Sequence, residues 1–223
     1  MLNPDLLRNA AILIEEQFSC DRYNGMDFSL RPFAIKLGQG NIVISAPHSV
    51  NHIRNNRVKH ADMHTGSIAQ IVQMATNCFS IFSTRISEED PNYVIGGRYK
   101  EALRDLCARY PIDLVIDIHG ASPDRDFDID LGTLNGESVD GESLEIIRKI
   151  FHKNGIKNVK TDSVFKASHP GTITYFAKNT LKIRAVQMEI NRSFRDPRSN
   201  IAGYAAIIQS LIEIVGTFKK GHA

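Results

Sequence analysis

The chain has 223 residues, of which 42% are hydrophobic, and a formal net charge of +2 at pH 7. This length and composition predict a single domain, residues 1–223, with a substantial core. The small net charge gives no electrostatic reason to expect a nucleic-acid or membrane partner, so we predict neither.

The cysteines and the N-terminal segment predict a cytoplasmic location. Three cysteines, an odd number without CxxC spacing, are typical of free thiols in a reducing compartment. No apolar run is expected to be long enough to span a bilayer. Leu2–Gln17 has the spacing of an amphipathic helix rather than of a signal peptide.

In chain order, the next segments predict a β-hairpin and then a long loop. Phe33–Leu37 and Ile42–Ala46 are separated by a Gly/Asn turn, which is typical of a hairpin. Val50–His64 is polar and basic without periodicity, and long loops in compact domains are usually functional.

The rest of the chain alternates between predicted strands and predicted helices. The predicted strands are Cys78–Thr84, Asp113–Ile118, Phe127–Thr133, Asn158–Thr161 and Ile183–Ile190. The predicted helices are Thr65–Thr76, Tyr99–Arg109, Gly141–His152 and Asn200–Phe218. This alternation predicts the α/β class, with a mixed β-sheet flanked by helices on both faces.

Asp128 and Asp130 share one face of the strand predicted at Phe127–Thr133. A pair of catalytic carboxylates is one interpretation. The preferred interpretation is a strand at the sheet edge with its polar face in water.

Three predicted strands end in residues that can bind a metal or transfer a proton. His48 follows NIVISAP, His119 follows DLVIDI, and Glu189 lies near the end of IRAVQME. Strand ends on one side of an α/β sheet converge. Two imidazoles and one carboxylate form a zinc site with an open position, which is the catalytic type. Asp117 shares a strand face with His119 and could orient its ring, although a lone structural histidine is the alternative.

Such a site needs two carboxylates, one as a ligand and one as a general base. The HxxE spacing from His48 leads to Asn51, which is not acidic, and the next acidic residue is Asp62. Asp62 precedes a predicted helix, so it is either the ligand or a cap of that helix. The rival ligands in the same basic segment are His52, His60 and His64.

These residues carry a resemblance to a known family. His48 in SAPHS, Asp62 in ADMHTG, His119 in DIHGAS and Glu189 in QMEINRSFRD, in this order, resemble the N-formylglutamate amidohydrolase family. That family belongs to the zinc carboxypeptidase-like hydrolases, and the resemblance covers Ile42–Asp196. It implies a zinc-exopeptidase-like (phosphorylase/hydrolase-like) fold. It also implies that His48, Asp62 and His119 hold Zn²⁺ and that Glu189 is the general base.

The function that the resemblance implies is hydrolysis of an amide bond in a small N-acyl amino acid or a peptide-like substrate. One alternative is a carboxypeptidase or ester deacylase with the same fold. The other is a non-catalytic metal- or ligand-binding protein that kept the fold.

A substrate of this class carries a carboxylate, which arginine binds in a bidentate fork. Arg192, three residues beyond Glu189, is the first candidate for this contact. Arg57 and Arg98 are weaker candidates, for which a surface residue that makes a minor ion pair is the preferred interpretation. Asn191 could bind substrate or simply end the strand.

Overall fold

The computed structural model describes residues 3–26 and 30–220 of the chain. Its strands are β1 (Phe33–Lys36), β2 (Ile42–Ala46), β3 (His52–Arg54), β4 (Arg57–Lys59), β5 (Phe79–Ser83), β6 (Leu114–Ala121), β7 (Ile129–Gly132), β8 (Val159–Thr161) and β9 (Arg184–Asn191). Its helices are α1 (Pro4–Tyr23), α2 (Thr65–Thr76), α3 (Arg98–Arg109), α4 (Gly141–Lys153), α5 (Ile173–Phe176), α6 (Arg192–Arg195) and α7 (Ile201–Phe218). A π-helical turn, Ala177–Leu181, follows α5 directly.

The described strands build one mixed sheet of seven strands, in the order β1-β5-β2-β6-β9-β7-β8. Strands β5, β2, β6 and β9 are parallel to one another. Strands β1 and β7 run antiparallel to the neighbours β5 and β9. Because the four central strands are parallel, their carboxyl ends lie at one edge of the sheet.

Helices pack against both faces of this sheet. On one face, α1, α2, α4 and α7 cover a core that includes Ile44, Ile116 and Met188. On the other face, α3 and α5 cover Val43 and Val115. Neighbouring residues of one strand thus serve opposite cores, as the alternation of side chains in a strand requires. The predicted α/β class, with a mixed sheet and helices on both faces, is confirmed.

Helix α7 corrects the expectation that no segment is long and apolar enough to cross a membrane. By length and composition alone it meets that condition, and no other helix in the described ranges does. However, Tyr204, Ile207, Leu211 and Ile214 of this helix are fully buried within the core. The apolar composition of α7 therefore has a sufficient explanation in its packing against α2 and α4.

The predicted hairpin of β1 and β2 is wrong. Strand β5 lies between them and pairs with both, antiparallel to β1 and parallel to β2. All five residues of β2 are buried, and its other neighbour is β6. A continuously apolar strand is typical of the interior of a parallel sheet, and this preference for burial on both sides outweighs the local turn signal of Gly38–Asn41.

The long loop predicted at Val50–His64 contains a small hairpin formed by β3 and β4. The turn between these strands is made by Asn55 and Asn56, which have φ values of 51° and 59°. Positive φ at both central residues defines the tight hairpin turn that matches the twist of its strands, and asparagine tolerates it. An Asn-Asn pair was therefore the signal for this hairpin.

The prediction for Asp128 and Asp130 is also wrong, because β7 is not an edge strand. It lies between β9 and β8. Asp130 is fully buried, and its carboxylate accepts hydrogen bonds from the backbone N–H groups of residues 163 to 165. Asp128 accepts two more, from Lys157 and Asn158. Both carboxylates hold neighbouring backbone in place, Asp130 from a fully buried position and Asp128 from a half-buried one.

Candidate active site

The sheet brings the predicted strand-end residues to one edge. Strands β2, β6 and β9 are consecutive neighbours in the sheet and are parallel. His48 lies two residues beyond the end of β2, and His119 is directly opposite Glu189 in the register of β6 and β9. Three residues that span more than 140 positions of the chain thus lie on three consecutive strand ends at one edge of the sheet, as the strand-end argument predicted.

Asp62 joins this group from the segment after β4. Its backbone N–H donates to the carbonyl oxygen of His48 at 2.8 Å. Its carbonyl oxygen accepts from the Thr65 hydroxyl, and α2 has no side-chain cap. The Asp62 side chain therefore does not cap the helix. Instead, its Oδ2 lies 3.2 Å from Nδ1 of His48 and 3.2 Å from Nδ1 of His119.

The Nε2 atom of each imidazole, on the side of the ring away from Asp62, is hydrogen-bonded to a buried carboxylate. Nε2 of His48 lies 2.8 Å from Oδ1 of Asp90, and Nε2 of His119 lies 3.0 Å from Oδ2 of Asp117. Asp90 and Asp117 are both fully buried. Carboxylates in this position fix the tautomer and the ring orientation of histidines that bind metal through the other nitrogen.

This geometry fits a divalent cation. When each Nε2–H donates to its carboxylate, both Nδ1 atoms are acceptors, and both face Asp62 Oδ2, which is a third acceptor. Three acceptors directed at one point repel one another unless protons or a cation lie between them. The three ligand atoms are within 4.8 Å of one another, and two imidazoles with one carboxylate are a donor set that suits zinc. His48, Asp62 and His119 could therefore hold the ion.

The rival histidines have other roles in the structure. Nε2 of His52 donates to the carbonyl oxygen of Pro47 at 2.8 Å. His60 is exposed. His64 has φ of 69° at the start of α2, and its ring lies near Glu15 and Asp196. None of the three is part of the ligand group found among the described residues.

The charges of the site depend strongly on one another. Burial alone would lower the pKa of His119, but Asp117 first, and then Asp62 and Glu189, raise it to about 10. Burial alone would raise the pKa of Asp62, but Lys59 and the two ligand histidines hold it well below its ordinary value. Without a metal, the proton that His119 retains thus helps to balance the carboxylates, and a cation would take over this role.

Glu189 has the environment of a general base. It is 6% exposed, and its Oε1 accepts a hydrogen bond from Gln187 at 3.1 Å. Burial raises the pKa of Glu189 to about 7. The charge of His119 acts to lower this pKa, and the charge of Asp62 acts to raise it. A carboxylate with a pKa near neutrality can both accept and return a proton at physiological pH.

A cavity of about 380 Å³ opens over these four residues. Its lining includes several cationic side chains. Its other lining residues are Arg54, Lys59, Asn92, Tyr93, Gly120, Phe165, Lys166, Ala167, Ser168, His169, Thr172 and Gln187. A volume of this size is typical of a site for a small molecule.

The residues predicted to bind substrate do not line this cavity. Arg192 is exposed and lines a neighbouring cavity, which shares Asp62 and Gly120 with the first. The amide nitrogen of Asn191 donates to backbone carbonyl oxygens of the 123–127 loop. Arg57 is exposed on β4, and Arg98 is exposed at the start of α3 beside Glu89.

The structure brings in two residues that the sequence did not indicate, Arg54 and Asp90. Nε of Arg54 donates to Oδ2 of Asp90 at 2.7 Å, and its guanidinium lies 4.9 Å from the ring centre of Tyr93. The side chain is 33% exposed, so it remains accessible from the cavity. The Asn55-Asn56 pair was the sequence signal for a hairpin, and a hairpin would have placed Arg54 at the end of an ordered strand.

No protein-family model matches this sequence, and the comparison with curated proteins finds no match. Solved structures, however, are similar in fold. The N-formylglutamate amidohydrolase from Ralstonia eutropha JMP134 superposes with a TM-score of 0.63 at 13% identity, over 84% of this chain and 98% of the other. A bacteriophage poly-gamma-glutamate hydrolase superposes with a TM-score of 0.55 at 14% identity, over 86% of this chain and 92% of the other. The succinylglutamate desuccinylase from Chromobacterium violaceum superposes with a TM-score of 0.52 at 14% identity, over 99% of this chain and 78% of the other.

The chain has the fold of these hydrolases. The predicted resemblance is confirmed at the level of the fold, since identities of 13 to 14% carry the comparison no further. Within this hydrolase fold, the strand ends of β2, β6 and β9 form the polar edge described above. Ligands of open α/β sheets bind at that edge.

Proposed function

We propose that the chain is a zinc-dependent hydrolase that cleaves the amide bond of a small, carboxylate-bearing N-acyl amino acid or peptide-like substrate. We also propose that it is a distant member of the N-formylglutamate amidohydrolase family. The observation that supports this best is the pair of imidazoles, each backed by a buried carboxylate, that share one oxygen of Asp62. A site that only bound a ligand would not need Glu189, with its raised pKa, beside that group.

When bound, zinc would lower the pKa of a coordinated water to about 7 and polarise the substrate carbonyl. Asp90 and Asp117 hold the protons on Nε2 of the two ligand histidines, so that both Nδ1 atoms stay available as ligands. Glu189 takes a proton from the attacking water on a carboxylate oxygen and delivers it to the nitrogen of the leaving amine.

The cationic residues of the cavity favour an anionic substrate. Lys59 pairs with Asp62, and Arg54 pairs with Asp90, but Lys166 has no ion-pair partner among the described residues. We propose that Arg54, with Lys166, binds the substrate carboxylate, because Arg54 reaches the cavity and Arg192 lines the adjoining one. Arginine recognises a carboxylate through two parallel N–H groups.

Metal analysis combined with an activity panel tests this proposal. Purified protein should contain about one zinc per chain and should hydrolyse members of a panel of N-formyl-, N-acetyl- and N-succinyl-amino acids and γ-glutamyl peptides. In Glu189→Gln, we expect kcat to fall about 10²- to 10⁴-fold while the zinc content is unchanged. Glu145→Gln, on the exposed surface of α4, is the matched control and should retain activity.

The panel also separates the alternatives. Turnover confined to C-terminal residues of peptides, or to esters, would favour a carboxypeptidase or an ester deacylase with the same fold. A protein that binds zinc and turns over nothing would be a binding protein, and full activity of Glu189→Gln would refute the assigned base. We also propose a cytoplasmic location, because Cys20, Cys78 and Cys107 are free thiols.

A further inference from the structure

Arg195 is a buried cation that is hydrogen-bonded to residues adjacent to those of the candidate metal site. It is the last residue of α6, and only 4% of it is exposed. No hydrogen bond or ion pair joins it to a carboxylate among the described residues. Its three hydrogen bonds within the described part of the chain all go to backbone carbonyl oxygens. A buried guanidinium that binds only backbone is unusual, because its burial is costly and is normally offset by a charged partner.

The three carbonyl oxygens belong to the three segments that carry the site residues. Nε of Arg195 donates to Ile190, the residue after Glu189, at 2.9 Å. Nη2 donates at 3.2 Å to Ala121, two residues after His119. Nη1 donates to Met63, the residue after Asp62.

His48 is connected to the Asp62 segment by one more hydrogen bond, which the backbone N–H of Asp62 donates to the carbonyl oxygen of His48. Strands β6 and β9 are neighbours in the sheet, but the 60–64 segment is not part of any strand of the large sheet. The guanidinium therefore supplies a direct link between the Asp62 segment and the strand ends that carry His119 and Glu189.

Gly120 provides an independent sign that this position of Arg195 matters. A Cβ at residue 120 would overlap the Arg195 guanidinium, whose atoms are its three nearest neighbours. Gly120 does not have a positive φ, so its backbone would accept an alanine. The glycine of DIHGAS is thus explained by the close passage of the Arg195 side chain.

We propose that Arg195 is a positioning residue that sets the distance of Asp62 from His119 and Glu189, an inference that rests on the metal site of the proposed function. Only a planar guanidinium offers donors in a fixed fork to three carbonyl oxygens at once, whereas a lysine ammonium is a single flexible point. Ligand geometry governs metal affinity, and a displacement of about 1 Å in an active site can cost about 100-fold in rate.

Arg195→Lys tests the inference because it keeps the charge and removes the fork. We expect its zinc dissociation constant, measured by competition with a chromophoric chelator, to rise at least tenfold. With zinc saturating, we expect kcat to fall at least tenfold while KM changes less than threefold. Arg198→Lys is the matched control, since Arg198 is exposed and its side chain makes no hydrogen bond or ion pair in the described structure.

Gly120→Ala is the second variant, and it decides the question if Arg195→Lys does not fold. It retains Arg195 but displaces the guanidinium, so zinc affinity should again fall at least tenfold. The double variant should lose no more affinity than the larger single effect, because both changes act on one interaction.

A purely structural role predicts a different result. In that case the zinc-free variants melt at lower temperature, but the folded protein binds zinc within twofold of wild type, and this would overturn the inference. If wild type binds zinc but hydrolyses nothing, the proposed function fails while the affinities still decide the role of Arg195. A wild-type protein that binds no zinc would overturn both.

Discussion

Asp90→Asn is the substitution that probes the candidate metal site most directly without touching a ligand. Asp90 is fully buried. Its Oδ1 accepts hydrogen bonds from His48 and from the backbone N–H of Asn92, and its Oδ2 accepts from Arg54. His48 and Arg54 hold the pKa of Asp90 far below its ordinary value, although burial alone would raise it. The carboxylate therefore accepts from two side-chain donors, His48 and Arg54, in addition to one backbone N–H.

Asparagine keeps the shape of the side chain but replaces one acceptor with an N–H₂ donor. In either orientation of the amide, one of the two N–H donors, on His48 or on Arg54, faces another N–H. An amide N–H directed at Nε2 would also favour the tautomer of His48 that carries its proton on Nδ1, the atom facing Asp62. Loss of such a partner lowers metal affinity about 10- to 100-fold, which corresponds to about 1.4 to 2.7 kcal/mol.

A chelator competition titration at fixed pH measures this change as a zinc dissociation constant. Asp126→Asn is the control, because Asp126 is an exposed carboxylate with one ion pair, to Lys160. Circular dichroism of the zinc-free proteins checks that both variants fold. A dissociation constant of Asp90→Asn within twofold of wild type, in a folded protein, would refute the argument that Asp90 orients His48 for metal binding.

Two further predictions follow from the same residues and their neighbours. Asp117→Asn should lower zinc affinity about 10- to 100-fold, because Asp117 holds Nε2 of His119 at 3.0 Å; the same titration measures this, and an unchanged affinity would exclude that role. His52→Gln should make the zinc-free protein less sensitive to acid. Burial first, and then His48, lowers the pKa of His52 from 6.5 to about 4. Its contribution to the free energy of unfolding is thus complete above pH 6.5, and about 3 kcal/mol is lost as the pH falls from 6.5 towards 4. A glutamine amide can still donate to the carbonyl oxygen of Pro47. Urea unfolding at pH 6.5 and 4.5 should therefore show a smaller loss of unfolding free energy in the variant than in wild type. Equal losses would contradict a lowered pKa of His52.

The sequence by itself determined where most of the longer elements lie and which residues end the central strands. Helix α2 has the predicted bounds, Thr65–Thr76. His48, His119 and Glu189 each lie at or next to the carboxyl end of a strand that was predicted from its apolar run. These features are local, because hydrophobic periodicity and apolar runs reflect the burial of a single element. The resemblance also indicated the fold, which the solved structures share.

Only the tertiary structure decided which elements are neighbours and which partners surround the site. The local turn after β1 suggested a hairpin, yet β5 separates β1 from β2 because β2 is buried between two parallel strands. Asp90 reaches His48 from the loop after β5, and Arg54 reaches the cavity from the end of β3, and no spacing in the sequence relates them. The orientation of both Nδ1 atoms towards Asp62 likewise depends on carboxylates in other parts of the chain. Hydrogen bonds and ion pairs between distant segments are set by the packed arrangement of the whole sheet, so a pattern along the chain cannot specify them.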